Sequence, residues 1–353
     1  MKLKNRLPAE SSSGSVTRVS VIVAMKDEEE NIGVLLQHLT LQDYPRHLFE
    51  IILADDHSED DTLKVIKRWQ HNSDMDLRVV CNASGETGKK VALSKGIDSA
   101  TGELIMITDA DCIMGNRWIG SVVSFYEKEN PYMILGPVLY KSHKRKPFEC
   151  FQALEFISLL AVSAGAASLN RPLFCNAANM AFTRQVYNEF RDPFSSETAS
   201  GDDTMLLLSI KKKYPGKIRF NKHRYALVET FPEKTLKRFW NQRKRWVSKS
   251  KYYSDFDILF VSYNVFATNL LLLVFFVLML FHASVFNFFL GFFLFKFIID
   301  SFLLFPLILY YKIPCLLLSY VPSQLIYFLY ATSVALGGKF SGFEWKNRYY
   351  HVN

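Results

Sequence analysis

Residues 258 to 281 run for 24 positions without an Asp, Glu, Lys or Arg. A helix of that length crosses a hydrocarbon core of about 30 Å. Two further apolar stretches follow, near 285–311 and 313–337. Residues 253–338 are therefore expected to be membrane-embedded, as about three spans, and the chain divides into a lipid-facing part and a water-facing part. The formal net charge of +8 concentrates just ahead of the first span, in Lys234, Lys237, Arg238, Arg243, Lys244, Arg245, Lys249 and Lys251. Cations beside a span favour the cytoplasmic side and attract anionic headgroups, so this basic run points to membrane lipids and away from nucleic acid. No charged n-region with an apolar h-region opens the chain, so residues 18–252 are expected in the cytosol without a cleaved leader. Residues 1–17, with Ser11-Ser12-Ser13-Gly14-Ser15, read as a flexible lead, and 339–353 as a basic tail.

Within 18–252 the pattern alternates between strand and helix. Val19–Ala24 is a β-branched run that opens into Met25-Lys26-Asp27-Glu28-Glu29-Glu30-Asn31 and then an amphipathic helix bearing Ile32, Leu35, Leu36 and Leu39. The second unit is a strand over 49–54, the polar run Asp55-Asp56-His57-Ser58, and a helix over 60–70. A third strand (77–81), a Gly85–Gly88 loop and a helix (89–99) precede a fourth strand, Leu104–Thr108, which ends in Asp109-Ala110-Asp111. Such alternation predicts a mostly parallel sheet covered on both faces, with the polar runs converging at the carboxyl ends of the strands, where ligands sit. Asp109 and Asp111 would face one way on extended backbone and offer hard oxygen ligands to a divalent cation that also holds phosphates.

Other chemistries are excluded. Neither G-x-G-x-x-G nor G-x-x-x-x-G-K-S/T occurs in the places those folds require. Cys81, Cys112, Cys150, Cys175 and Cys315 are odd in number and lack C-x-x-C spacing, which leaves zinc and disulfide frameworks unsupported. Phe148–Leu169 is apolar and helix-compatible, and fits an interfacial helix or core packing.

Three later segments complete the pattern: Phe174-Cys175-Asn176-Ala177-Ala178-Asn179 running into a strand-like piece, Gly201-Asp202-Asp203 ahead of an apolar helix, and Gln242-Arg243-Lys244-Arg245-Trp246, which sets Gln242, Arg245 and Trp246 on one helical side. In order and spacing, residues 19 to about 250 resemble the family 2 inverting glycosyltransferases. Val19–Asn31 is similar to their opening strand and Asn-Glu-Glu turn, with Asp27 in the usual Asn place. Asp55-Asp56-His57-Ser58 resembles the base-binding motif, and Gly88–Gly96 the Gly-Lys-x-x-Ala-Leu-Asn-x-Gly segment, departing at Ser94. Asp109-Ala110-Asp111 resembles the metal motif, Gly201-Asp202-Asp203 the base pair of carboxylates, and Gln242–Trp246 the Gln-x-x-Arg-Trp motif. The tail Glu344-Trp345-Lys346-Asn347-Arg348 resembles a Trp-Lys-Gly-Arg tail of membrane-bound members, with Asn347 in place of Gly.

The resemblance implies a GT-A nucleotide-sugar-binding α/β domain followed by transmembrane helices. It implies Ala24, Asp27, Glu28, Asp55, Asp56, Lys89, Asp109 and Arg245 as nucleotide-sugar-binding residues, Asp109 and Asp111 as ligands of Mg²⁺ or Mn²⁺, and Asp203, with Asp202, as catalytic residues. Asn176, Gln242 and Trp246 would meet the acceptor or product. The expected activity is inverting, metal-dependent hexosyl transfer from a nucleotide-diphosphate sugar to a lipid or glycan acceptor, at a bacterial inner membrane. A processive polysaccharide synthase is the first alternative, against which three spans are few for a polymer channel. A catalytically inert membrane adaptor is the second, against which the carboxylates are intact.

Two features of the apolar region bear on its placement. Lys296 and Asp300 stand at i, i+4 and could pair with each other. Three full crossings would put the basic tail outside, against the positive-inside tendency, and Pro314 and Pro322 make the third segment the candidate for a re-entrant piece.

Overall fold

The computed structural model describes residues 16–141, 146–190, 202–340, 342–345 and 348–350. The chain forms two compact units, one of Met1–Lys141 with Val162–Phe231 and one of Ser142–Ala161 with Pro232–Asn353.

The first unit opens with β1 (Val19–Met25), α1 (Ile32–Thr40), β2 (Phe49–Asp55), α2 (Thr62–Asn72), β3 (Leu77–Cys81), α3 (Lys89–Asp98) and β4 (Leu104–Asp109). Every residue of β1 and β2 is buried, as expected of parallel strands covered on both faces. On α1 the buried residues are Ile32, Leu35, Leu36 and Leu39, the stripe its periodicity marks. Strands 2 and 4 each run one residue further than the apolar pattern indicates, so Asp55 and Asp109 belong to the sheet. Helix α2 starts later than expected because the Asp60 carboxylate accepts from the Thr62 amide at 3.0 Å and the Thr62 hydroxyl at 2.5 Å, which occupies the preceding turn.

Next come β5 (Ile113–Met114), α4 (Trp118–Glu129), β6 (Met133–Leu135), β7 (Val138–Tyr140), α5 (Pro147–Ser168), β8 (Met180–Thr183), α6 (Arg184–Glu189), α7 (Asp202–Lys213), β9 (Ile218–Phe220) and β10 (Val228–Thr230). The boundary between the two units falls inside α5. The main sheet has the order β3-β2-β1-β4-β8-β6-β9, and a small second sheet the order β5-β10-β7. β3, β2, β1 and β4 are mutually parallel, whereas β8 runs antiparallel to both β4 and β6. The parallel reading thus holds for the half of the sheet built from strand-helix repeats and ends where those repeats end. Register places Ala24 beside Asp109, and Met25 beside Asp55, which is itself beside Cys81. The polar runs after these strands therefore leave the sheet at one level.

Asn179 locks the second half of this unit. Its side chain is 3 % exposed, donates to the carbonyls of Pro137 (2.8 Å) and Ala226 (2.7 Å), and accepts from the Trp118 indole (3.1 Å). Gly136 passes so close that a Cβ there would collide with the Asn179 amide.

The second unit contains α8 (Leu236–Ser248), α9 (Phe256–Met279), α10 (Phe286–Tyr310), α11 (Cys315–Phe340) and a two-stranded ribbon of β11 (Phe343–Trp345) and β12 (Arg348–Tyr350). Among the described residues, three helices are long and apolar enough to cross a membrane: Pro147–Ser168, Phe256–Met279 and the helical stretch Ala283–Tyr310. Burial separates them. The apolar window of α5 is 67 % buried inside the protein, which favours core packing over an interfacial position, whereas the windows of the other two are 17 % buried and turn their side chains outward. α11 is one unbroken helix that continues through Pro322. Asp300 pairs with Lys296 on α10, and both are bridged by the Gln324 amide of α11, 3.1 Å from each. Arg243 of the basic run is 1 % exposed and paired with Glu155, which also accepts from the Tyr330 hydroxyl at 2.8 Å. That guanidinium serves the interior of this unit and not a lipid surface.

Replacing Asn179 by Ala strands a buried indole N–H and two buried carbonyls, at a cost on the order of 3 kcal/mol. The unfolding midpoint of the purified Asn179→Ala protein is expected to fall by roughly 6 °C or more; an unchanged midpoint in a thermal melt would refute the locking role.

Candidate active site

At the carboxyl ends of β1 and β2 two turns interlock. Asp27 adopts φ +52° and His57 φ +56°, a left-handed geometry that Asp tolerates better than most residues. The Asp27 amide donates to the Ser58 hydroxyl (3.0 Å), the Glu59 amide to the Asp27 carboxylate (2.8 Å), the Glu29 amide to the Asp60 carboxylate (3.1 Å), and the Asp61 amide to the Glu29 carboxylate (2.9 Å). The Glu28 amide donates to the Thr62 hydroxyl at 2.8 Å, and its carboxylate accepts from Asn31 at 2.8 Å. The acidic residues here thus act in part as loop scaffold, which keeps both turns at the rim.

Asp55 is 2 % exposed and accepts from the Ser58 hydroxyl (2.5 Å) and the Ser58 amide. Asp56 accepts through Oδ1 from the Gly88 amide (2.7 Å) and from Asn82 Nδ2 (2.8 Å). Because a carboxylate needs a donor, it fixes which way the Asn82 amide points. Asn82 Oδ1 is left buried and receives no hydrogen bond from the described residues. Nothing in the local pattern of residues 81–84 marks Asn82 as a site residue, and only the fold brings it to Asp56. Gly88, at φ +117°, makes the turn that starts α3 and sends Lys89 toward the end of β4.

Lys89 Nζ lies 2.5 Å from Asp109 Oδ1. The neighbouring Asp111 accepts from the Thr230 hydroxyl of β10 at 3.0 Å, across 119 residues of sequence. Burial, then the charge of Asp109 and that of Glu28, push the Asp111 carboxyl up to about 6, while Thr230 and Lys89 pull the other way. Like charges are therefore held together at a cost that a cation would relieve, and two hard carboxylates one residue apart fit Mg²⁺ or Mn²⁺. Among the described residues no group of three or more His, Cys, Asp or Glu forms a cage, so further ligands would come from water or a bound phosphate. The Cys112 thiol, buried beside these carboxylates, is pushed well above its usual range and is not a nucleophile at neutral pH.

The other expected site residues have local surroundings of their own. Ala24 is buried at the end of β1. Asp203 is half-buried in the first turn of α7, where its carboxylate accepts from the Thr204 amide at 2.8 Å; α7 begins at Asp202, and Gly201 lies outside the described residues. Asn176 caps the short turn before β8 by accepting from the Ala178 amide at 3.0 Å. In the second unit, Gln242, Arg245 and Trp246 lie on α8 as their spacing requires. Gln242 accepts from Arg243, and the Arg243 guanidinium covers one face of the Trp246 ring at 4.4 Å. The structure thus gathers Asp55, Asp56, Asn82, Lys89, Asp109, Asp111 and Thr230 within one unit by direct bonds or strand register.

This mixed α/β architecture, with its parallel half-sheet, resembles the GT-A fold. The fold is shared with the mannosyltransferase PcManGT from Pyrobaculum calidifontis, solved in complex with GDP-Man and Mn²⁺, at TM-score 0.51 and 19 % identity, over 68 % of this chain and 62 % of that one. The model of the family described as Glycosyl transferase family 2 matches residues 20–190. Among curated relatives, the beta-monoglucosyldiacylglycerol synthase of Trichormus variabilis is 32 % identical over 117 residues, covering 33 % of this chain and 25 % of that protein. The dodecaprenyl-phosphate galacturonate synthase of Rhizobium johnstonii is 32 % identical over 120 residues, covering 33 % of this chain and 35 % of that protein. The chain therefore spans about a quarter to a third of the length of these relatives.

Ionised Asp111 is disfavoured in the folded state relative to its ordinary value of 3.8, so its cost is present above pH 6 and fades as pH falls toward 4. In metal-free buffer at pH 7.5, Asp111→Asn is expected to raise the thermal midpoint by roughly 2 °C, a gain that vanishes near pH 4. A pH-independent or negative shift would contradict this electrostatic picture.

Proposed function

We propose that this chain is a membrane-bound, inverting glycosyltransferase that moves a sugar from a nucleoside-diphosphate sugar to a hydroxyl of a lipid or lipid-linked acceptor. The observation that carries the reading is the placement of Asp109 and Asp111 at the end of β4, level with the ends of β1 and β2. In this reading the N–H groups of the donor's base would be met by Asp56, which Asn82 and Gly88 hold in place, with Asp55 steadying the turn beside it. Asp109 and Asp111 would hold Mg²⁺ or Mn²⁺, which supplies charge neutralisation for the departing diphosphate. Lys89 adds a second positive charge at the same place.

In the transfer itself the acceptor oxygen attacks the anomeric carbon from the face opposite the diphosphate. One carbon–oxygen bond forms as the bond to the diphosphate oxygen breaks, the configuration inverts, and the acceptor's proton passes to the Asp203 carboxylate. Asp202 belongs to the same acidic pair. The resemblance to the family assigns Arg245 to the diphosphate and Gln242, Trp246 and Asn176 to the acceptor, and Ala24, Asp27 and Glu28 to the donor; we retain those roles as part of the proposal. A lipid acceptor is supported by the outward-facing apolar helices α9 and α10, by the basic run ahead of α9, and by the two relatives whose names specify diacylglycerol and dodecaprenyl phosphate.

Asp203→Asn is expected to keep the fold and nucleotide-sugar binding while lowering kcat by about 10²-fold or more, because it removes the base and preserves the shape. Near-native turnover with radiolabelled donor would remove Asp203 from that role. Asp111→Ala is expected to lose the Mn²⁺-dependent thermal stabilisation that nucleotide sugars confer on the wild type; metal-independent stabilisation of the wild type would overturn the metal reading.

A further inference from the structure

The ammonium group of Lys89 sits 2.5 Å from Asp109 Oδ1, while the side chains of Lys89 and Asp109 remain 39 % and 31 % exposed. This pair is reached from solvent and can exchange partners. Its placement is nevertheless specified: Gly88, whose amide is tied to Asp56, starts α3, and α3 packs on the sheet through Ala92, Leu93 and Ile97. A divalent cation bound to Asp109 would need that oxygen at about 2.0–2.6 Å. An ammonium at hydrogen-bond distance occupies the same position, and two cations sharing one carboxylate oxygen repel each other.

We propose that Lys89 is a built-in stand-in cation, which holds Asp109 Oδ1 in the absence of donor and must give up that oxygen before a divalent metal can take it. The inference rests on the metal reading of Asp109 and Asp111 above and assigns Lys89 a positioning role beyond contact with the nucleotide. The physical consequence is coupling. Without a diphosphate the metal must compete with an ammonium already seated on Asp109. With a diphosphate present, the flexible four-carbon stem lets Lys89 transfer its charge to a phosphate oxygen while the metal takes the carboxylate. Metal and donor then favour each other's binding, and the site resists loading with metal alone.

The test is a titration of the purified full chain with Mn²⁺ alone, followed by the loss of the free-ion signal in electron paramagnetic resonance. Removing a solvent-reachable ion pair is worth a modest factor, so Lys89→Gln should bind Mn²⁺ at least about threefold more tightly than the wild type. Lys89→Arg, which keeps the cation, should restore the weak wild-type affinity. A purely structural role for Lys89 would weaken or leave unchanged the binding of Mn²⁺ to Lys89→Gln, and either result overturns the proposal while leaving the metal site intact. Absence of Mn²⁺ binding in all three proteins, with Asp109→Asn indistinguishable from them, would instead overturn the metal reading itself.

Discussion

Like charge in a half-buried rim is the constraint on which the site depends. Asp109 and Asp111 leave β4 one residue apart, with Glu28 close enough to add to the repulsion. Such an arrangement holds only where the surrounding fold is rigid enough to impose it, and the sheet supplies that rigidity. Asp109 is held in the ladder as the last residue of β4, whereas Asp111 lies in the turn that follows, off the extended backbone its alternation with Asp109 suggested, and is tied to β10 through Thr230. Thr230 from β10 and Lys89 from α3 offset part of the cost. What remains is a concentration of negative charge, which raises the Asp111 carboxyl above its ordinary range.

Around this centre many of the acidic residues work as loop scaffold. Asp27, Glu29 and Asp60 bond amides in the neighbouring turn, Asp55 holds Ser58, and Asp56 joins β3's end to the Gly88 turn. A carboxylate satisfied by backbone amides on one oxygen can still present the other to a ligand, so scaffold and recognition are compatible in the same side chain. Pre-organisation of this kind reduces the ordering that donor binding would otherwise require.

The second unit is governed by the opposite problem, charge placed among apolar helices. Arg243 is held by Glu155 and lies over the rings of Phe239 and Trp246, and Lys296 is held by Asp300 and Gln324. A buried ion pair such as Arg243–Glu155 is not a strong net stabiliser, but loss of one partner leaves an uncompensated charge and is costly. The two pairs specify how α8 meets the interior of this unit and how α10 meets α11.

Order along the chain was enough to read the strand-helix alternation, the acidic runs after each strand and the apolar stretches, because each follows from local periodicity. The i, i+4 pairing of Lys296 with Asp300 was legible for the same reason. The extra strand residues at Asp55 and Asp109, the antiparallel entry of β8, the burial of α5 and the inward turn of Arg243 were not, since each depends on what packs against the segment. The sequence by itself determined which residue types stand at the strand ends and how far apart they lie along the chain. Only the tertiary structure decided that Lys89 meets Asp109, Thr230 meets Asp111 and Asn82 meets Asp56, because those contacts arise from strand register and helix packing between residues that have no local relation to one another.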